Sequence, residues 1–461
     1  MLMGILHAKS LLPTLTMLVI GLALGGCGSG TQAPLAVSQP AVFQIQITSV
    51  DSAGTPGNFF SDTPSISATG RFVAFESRAN NLISGGSKIG SSHVFVRDTC
   101  IGASFCAPAT TLVSILNDGS VADESSFAAI SPDGRFVAFR YAAAGSFIAN
   151  IFLRDTCLEL HNCIPSTQLV SVADDGTPAN AFSGDAVVAQ GGRYIAFSTD
   201  ASNLGTGGSR QVVVRDTCLG ASSCTPSTHV ISVAPDGTPG NGTSGFDGGS
   251  GSGAVSMTPD GRFVAFTSIA NNMVPGGTNQ GSNIFVRDTC AGVFFCTPLT
   301  TLVSVASGAN LAPSISSDGR FVAFASGATI LMRDTCLGIS ACQPSTTTVF
   351  SGGFAGVPAI SGDGRFVIYS AQNQAFPRQQ VFMYDTCLRE IGYTPSTRIV
   401  SVSAQGTPND GYLINQIFDF FPIALSSDGR AVAFTSSATN LVPGTQSNTN
   451  YQVYVAPSPF K

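Results

Sequence analysis

Charge is what this chain has least of. Its 461 residues carry 21 basic and 27 acidic side chains, or 10%, against roughly 25% in an average soluble domain. So sparse a complement excludes a coiled coil and a charged disordered tail. The formal net charge of −6 excludes a nucleic-acid binder, which needs a basic stripe to displace counterions. Tryptophan is missing and histidine occurs four times. There is no HExxH pair, no Walker loop and no G-x-S-x-G elbow. The glycine-rich run at 248–253 lacks the lysine and helix of a phosphate loop and reads as a connector. No catalytic residue, cofactor or metal is therefore predicted. What is abundant is 51 Gly, 25 Pro and 32 Phe, the material of short apolar strands joined by tight turns.

Residues 1–26 read as a signal peptide: Lys9 is the only charge, followed by an apolar run from Leu11 to Leu24. That run is shorter than the roughly 20 residues needed to span a bilayer. Its end, Leu24-Gly25-Gly26-Cys27, resembles the lipobox of bacterial lipoproteins. The resemblance implies cleavage before Cys27 and acylation of its thiol, with ordinary cleavage or a retained anchor helix as the alternatives. Several acyl chains give stable anchoring where one is marginal. Gly28 stands where an Asp would imply retention in the inner membrane, so the resemblance points to the outer one. Residues 27–42 are expected to be a lipidated tether, and 43–461 the folded domain.

That domain is a repeat. GRFVAF at Gly70–Phe75 recurs at Gly134–Phe139, Gly261–Phe266 and Gly319–Phe324, with variants at Gly192–Phe197, Gly364–Tyr369 and Gly429–Phe434. Before most copies stands an Asp-Gly turn, and before that a short apolar run. After the first six comes an alternating run ending in Asp-Thr, then a fourth short run. Four strands per unit, here called a to d, with no amphipathic helix between units, predict an all-β, seven-bladed β-propeller. The seventh copy stops after c, and the missing d stands at the N-terminus as 43–50, so the first strand is expected to close the last blade. The string Ser131–Phe139 with Ile151–Asp155 resembles the WD-repeat-like propeller units of TolB-type bacterial proteins. This resemblance implies a binding scaffold rather than an activity.

Ten of the 12 cysteines form Cys-x5-Cys pairs between strands c and d: Cys100/Cys106, Cys157/Cys163, Cys218/Cys224, Cys290/Cys296 and Cys336/Cys342. An exported chain permits bridges, whereas zinc needs ligands that three scattered mature histidines do not supply. Cys387 occupies the same place in the sixth copy, but its partner position is Tyr393. It is either a lapsed staple or a link between chains.

Arginines at the start of b (Arg71, Arg135, Arg193, Arg262, Arg320, Arg365, Arg430) and near the end of c recur with the repeat. They are expected to bond turn carbonyls and neighbouring Asp groups such as Asp133 and Asp155. Residues with a function should instead break the repeat. Asp62, Glu124 and Asp185, near the entry to the innermost strands, are the candidates for binding at the channel mouth. The expected function is a lipid-anchored, monomeric envelope scaffold for a protein or glycan partner. The alternatives are an extracytoplasmic hydrolase or lyase with a site on the loop-rich face, and a purely structural surface protein.

Overall fold

The computed structural model describes residues 44–460 apart from 89, 144, 147, 247–253, 279–280, 306–307, 377, 389, 391, 414–422 and 445–449; the side chains of Asp185 and Phe354 also lie outside the described part. The expected signal peptide at 1–26, Cys27 and the expected tether at 27–42 fall outside it as well.

Among the described residues are seven four-stranded antiparallel sheets. Blade one consists of Ser61–Ile66, Phe72–Ser77, His93–Asp98 and Ala109–Leu112, and the next five repeat its a-b-c-d order. Blade seven is built from Ala424–Leu425, Ala431–Ser436 and Gln452–Pro457, and its outer strand is Gln46–Ile47. Gln46 pairs with Val455 and Ile47 with Tyr454, so the first strand closes the last blade. Strand a of blade one also packs on blade seven, completing the ring. The chain is a seven-bladed β-propeller.

The repeated motif has a physical reason at each letter. Its second Phe is fully buried at Phe75, Phe139, Phe197, Phe266, Phe324 and Phe434, each worth about 1.5–3 kcal/mol. In several blades it stacks on an aromatic of strand c, as Phe75 does on Phe95 at 5.8 Å. The motif Gly sits in the left-handed region, at φ +80° for Gly134, and a Cβ there would lie 2.3 Å from the Phe72 ring of the preceding blade. One residue thus makes the turn and admits the neighbour's ring. Each seam is dry and apolar: Phe72, Val94 and Val96 of blade one pack with Ile130, Val137 and Phe139 of blade two. The closing seam is built alike, with Val73 and Phe75 against Ala433 and Val453.

Strands a line a central cavity of about 240 Å³, reached by residues of every blade, among them Ile66, Ile130, Val188 and Leu425. Turns a–b and loops c–d share one end of the ring, called here the staple face. Connectors d–a and loops b–c form the other, the connector face. On the staple face the channel is pinched. The Ser317 and Ser427 hydroxyls are 3.2 Å apart, and the Gly362 amide and carbonyl bridge Ser427 and Ser317 at 2.8 Å each.

Candidate functional site

The charges that repeat are engaged within the blades. In blades one to six the strand-b Arg forms a two-pronged pair with the Asp ending strand c, as in Arg320 to Asp334 at 2.8 and 2.6 Å. The same guanidinium covers the next ring, with Arg320 4.7 Å from the Phe321 centroid. The Asp also accepts the amide of the first staple Cys, 2.9 Å for Cys336. The strand-c arginines Arg97, Arg154, Arg215, Arg287 and Arg333 reach a Thr hydroxyl of strand d at 2.9 to 3.1 Å. Asp133 is engaged differently from Asp155: it accepts the Arg135 amide of its own turn and the Gly191 amide of the next blade. The Asn residues of the b–c loops clamp the d–a connectors, Asn81 accepting the Asn58 amide at 2.9 Å and Asn203 that of Asn180 at 3.0 Å.

All five Cys-x5-Cys pairs are bridged, with Cα atoms 5.5 to 5.6 Å apart. Each bridge lies beside an Asp, as Cys100 and Cys106 do beside Asp98, but bridged sulfurs are not thiolate ligands. Cys387 is buried with its Sγ 3.4 Å from the Thr394 carbonyl. It has no second cysteine within its own loop.

Charges that break the repeat gather at the inner edge of the connector face. After the second aromatic of the motif the seven copies read Glu76, Arg140, Ser198, Thr267, Ala325, Ser370 and Thr435. Only two are charged, in adjacent blades. Asp62 stands opposite Glu76 in the a–b ladder, so two carboxylates face each other where strand a begins. Glu76 accepts the Ser92 hydroxyl at 2.5 Å and, from the next blade, the Phe127 amide at 3.3 Å. Burial pushes the Asp62 carboxyl up to about 8, the Glu76 charge pushes the same way, and Arg78 opposes both. Burial raises Glu76 too, against the pull of Ser92, the Phe127 amide, Arg78 and Arg140. The pair therefore holds a proton near neutral pH.

Beside it runs a ladder of alternating rings and guanidiniums. Arg140 lies 4.1 Å from the Phe127 ring and 5.4 Å from that of Phe182. Arg210 follows at 4.9 Å from Phe182 and 5.5 Å from Phe246. Arg210 is held by Asp200 at 3.0 and 2.8 Å. Gly184 makes room for it: a Cβ there would lie 2.8 Å from the Phe182 ring and 3.9 Å from Arg140. With the acid pair of blade one the arrangement spans blades one to four and brings cationic edges, ring faces and a proton-holding acid pair together.

No known protein family matches the chain, and no curated protein matches it. Among solved structures, a putative TolB from Agrobacterium tumefaciens is 17% identical, with TM-score 0.35, over 72% of this chain and 89% of that one. TolB from Acinetobacter baumannii is 14% identical, with TM-score 0.39, over 92% and 86%. Two TolB structures thus stand among its neighbours. The propeller domain of the Trilobed protease from Pyrococcus furiosus is 9% identical, with TM-score 0.49, over 87% and 94%. The propeller assignment itself rests on the chain's own strand pairing.

Of the three carboxylates singled out from sequence, Asp62 is in the acid pair. Glu124 is exposed and acts instead on the buried His93, whose imidazole burial keeps below its ordinary value while Asp123 and Glu124 draw it up. Asp185 lies within Ser183–Val188, its side chain outside the described part. Glu76, Arg140 and Arg210 were missed. The signal for the first two was the residue following the motif, read down the seven copies.

Proposed function

We propose that this chain is an exported, lipid-anchored envelope protein whose propeller serves as a rigid binding scaffold, with its ligand surface on the connector face over blades one to four. The observation that supports the reading is the convergence there of Asp62, Glu76, Arg140 and Arg210, charges outside the repeat pattern, on Phe127, Phe182 and Phe246. Ring faces suit a sugar ring or an apolar side chain, and guanidinium edges suit a carboxylate. An envelope protein loop or an acidic glycan combines these features. The lipobox resemblance at Leu24–Cys27 supports the anchor, and Gly28 the outer membrane. The test is capture from detergent-solubilised envelopes with wild type and an Arg140→Ala/Arg210→Ala variant. A partner held by wild type and lost from the variant is expected. No partner above an unrelated lipidated control would overturn the reading, and a turnover abolished by Asp62→Ala would make the protein an enzyme.

A further inference from the structure

The staple face carries a second feature, unrelated to the ligand surface. Among the described residues, the most exposed large apolar side chains are Phe105 and Phe295, each 110% exposed, Phe294 at 90% and Ile164 at 87%. All four lie in or directly after the bridged c–d loops of blades one, two and four. Phe105 and Phe295 immediately precede the second Cys of their loops and hold φ of +55° and +58°. A bulky residue in the left-handed region is an outlier, and here the closed ring fixes it with its side chain outward. These rings stand in solvent here, and covering them with an apolar neighbour would be favourable.

We propose that this neighbour is a lipid bilayer, and that the propeller sits with its staple face against the membrane that anchors it. The proposal rests on the anchor reading above. What orients it is where the chain enters the fold. Gln46 pairs with Val455, close to the Pro457 end of strand c in blade seven, so residue 44 enters at the staple face. The 17 residues from Cys27 to Phe43 reach at most about 60 Å fully extended, and they leave from the face that carries the exposed rings. At the base of the staples six blades pair an Arg with an Asp, so these twelve charges are neutralised within the blades. The connector face and its ligand surface then point away from the lipid.

The chain has no tryptophan, so one introduced Trp reports alone. Phe295→Trp and, on the connector face, Phe246→Trp are made in the full-length protein and reconstituted into phosphatidylethanolamine–phosphatidylglycerol vesicles with brominated acyl chains. Unreactive staple cysteines verify the fold of each variant, and the mass of the N-terminal peptide reports acylation separately. The expected result is loss of at least half of the emission at position 295, with that at 246 unchanged. Emission unquenched at 295, or quenched equally at both positions, overturns the proposal. So does a blue shift at 295 without bromine quenching, which would mean a second copy covers the rings. If Cys27 carries no acyl chain the anchor reading fails by itself. Free protein mixed with the same vesicles then decides: quenching at 295 alone supports the lipid-facing surface, and none overturns it.

Discussion

Replacing Asp62 with Asn should stabilise the protein, and the amount should depend on pH. The folded carboxyl is held at about 8 against an ordinary 3.8, chiefly by burial and then by the Glu76 charge. Below pH 3.8 the group is protonated in both folded and unfolded chains and costs nothing. Between 3.8 and 8 the unfolded chain releases a proton that the folded chain keeps, so stability falls as pH rises; above 8 the loss is complete. At pH 7 roughly three of the four units have been crossed, and at 1.36 kcal/mol per unit the ceiling is about 4 kcal/mol. Because Glu76 shares the proton, Asp62→Asn should recover about 2 kcal/mol or more at pH 7 and almost nothing at pH 4. Urea midpoints followed by circular dichroism from pH 4 to 9 measure this directly, with Glu76→Gln as the companion. A variant less stable than wild type at pH 7, or an unchanged pH slope, would refute the reasoning. That result would mean the two carboxylates are solvated rather than buried against each other.

Gly134→Ala should cost about 2–4 kcal/mol, combining a left-handed φ with a Cβ 2.3 Å from Phe72, whereas Gly119→Ala, equally left-handed but with open space, should cost only about 1; thermal melts compare them. Arg320→Gln leaves Asp334, whose side chain is 14% exposed, without its two-pronged partner, and should lower stability by about 1.5–3 kcal/mol in a denaturant titration. Each staple closes a ring of seven residues, from Cys100 to Cys106 for example, and should contribute about 2 kcal/mol. A Cys100→Ser/Cys106→Ser variant should therefore melt earlier yet keep its envelope partner, since the ligand surface lies on the other face.

The architecture was legible because propeller blades write their packing into the sequence. Nearly every GRFVAF copy encodes a turn Gly that admits a ring and an Arg that pairs across to strand c, each in six of the seven copies, and an aromatic that fills a seam in all seven. Ring closure was legible for the same reason: strand d was missing at one end and present at the other. The ligand surface was harder to read, and strand a shows why. Its ladder shifts register between Asp62 and Ser65, Ser126 and Ala129, and Gly184 and Val187. A bulge displaces side chains by one position and redirects them, so carboxylates counted along the sequence do not land together. Glu124 falls two residues before Ser126, the equivalent of Asp62, and Asp185 one residue after Gly184. Strand b has no such shift, and its column of seven residues points directly to Glu76 and Arg140.

The scarcity of charge follows from the same division of labour. Seams between blades are sheet against sheet, and a charge placed there must be paired or its burial is costly. Repeating charges therefore sit where each blade can neutralise its own, at the base of the staples, and they carry no information that differs from blade to blade. A ligand that meets one surface of a ring can be specified only by what distinguishes the blades. Here that is two adjacent charged positions out of seven, Glu76 and Arg140, extended by Asp62 and by the ring–guanidinium ladder to Phe246. Swapping them, as Glu76→Arg with Arg140→Glu, keeps the number of charges and both blades but reverses the pattern. If the connector face selects its partner by that pattern, the swap should abolish capture while the melting temperature falls by only a few degrees. Capture that survives the swap would place recognition elsewhere on the ring.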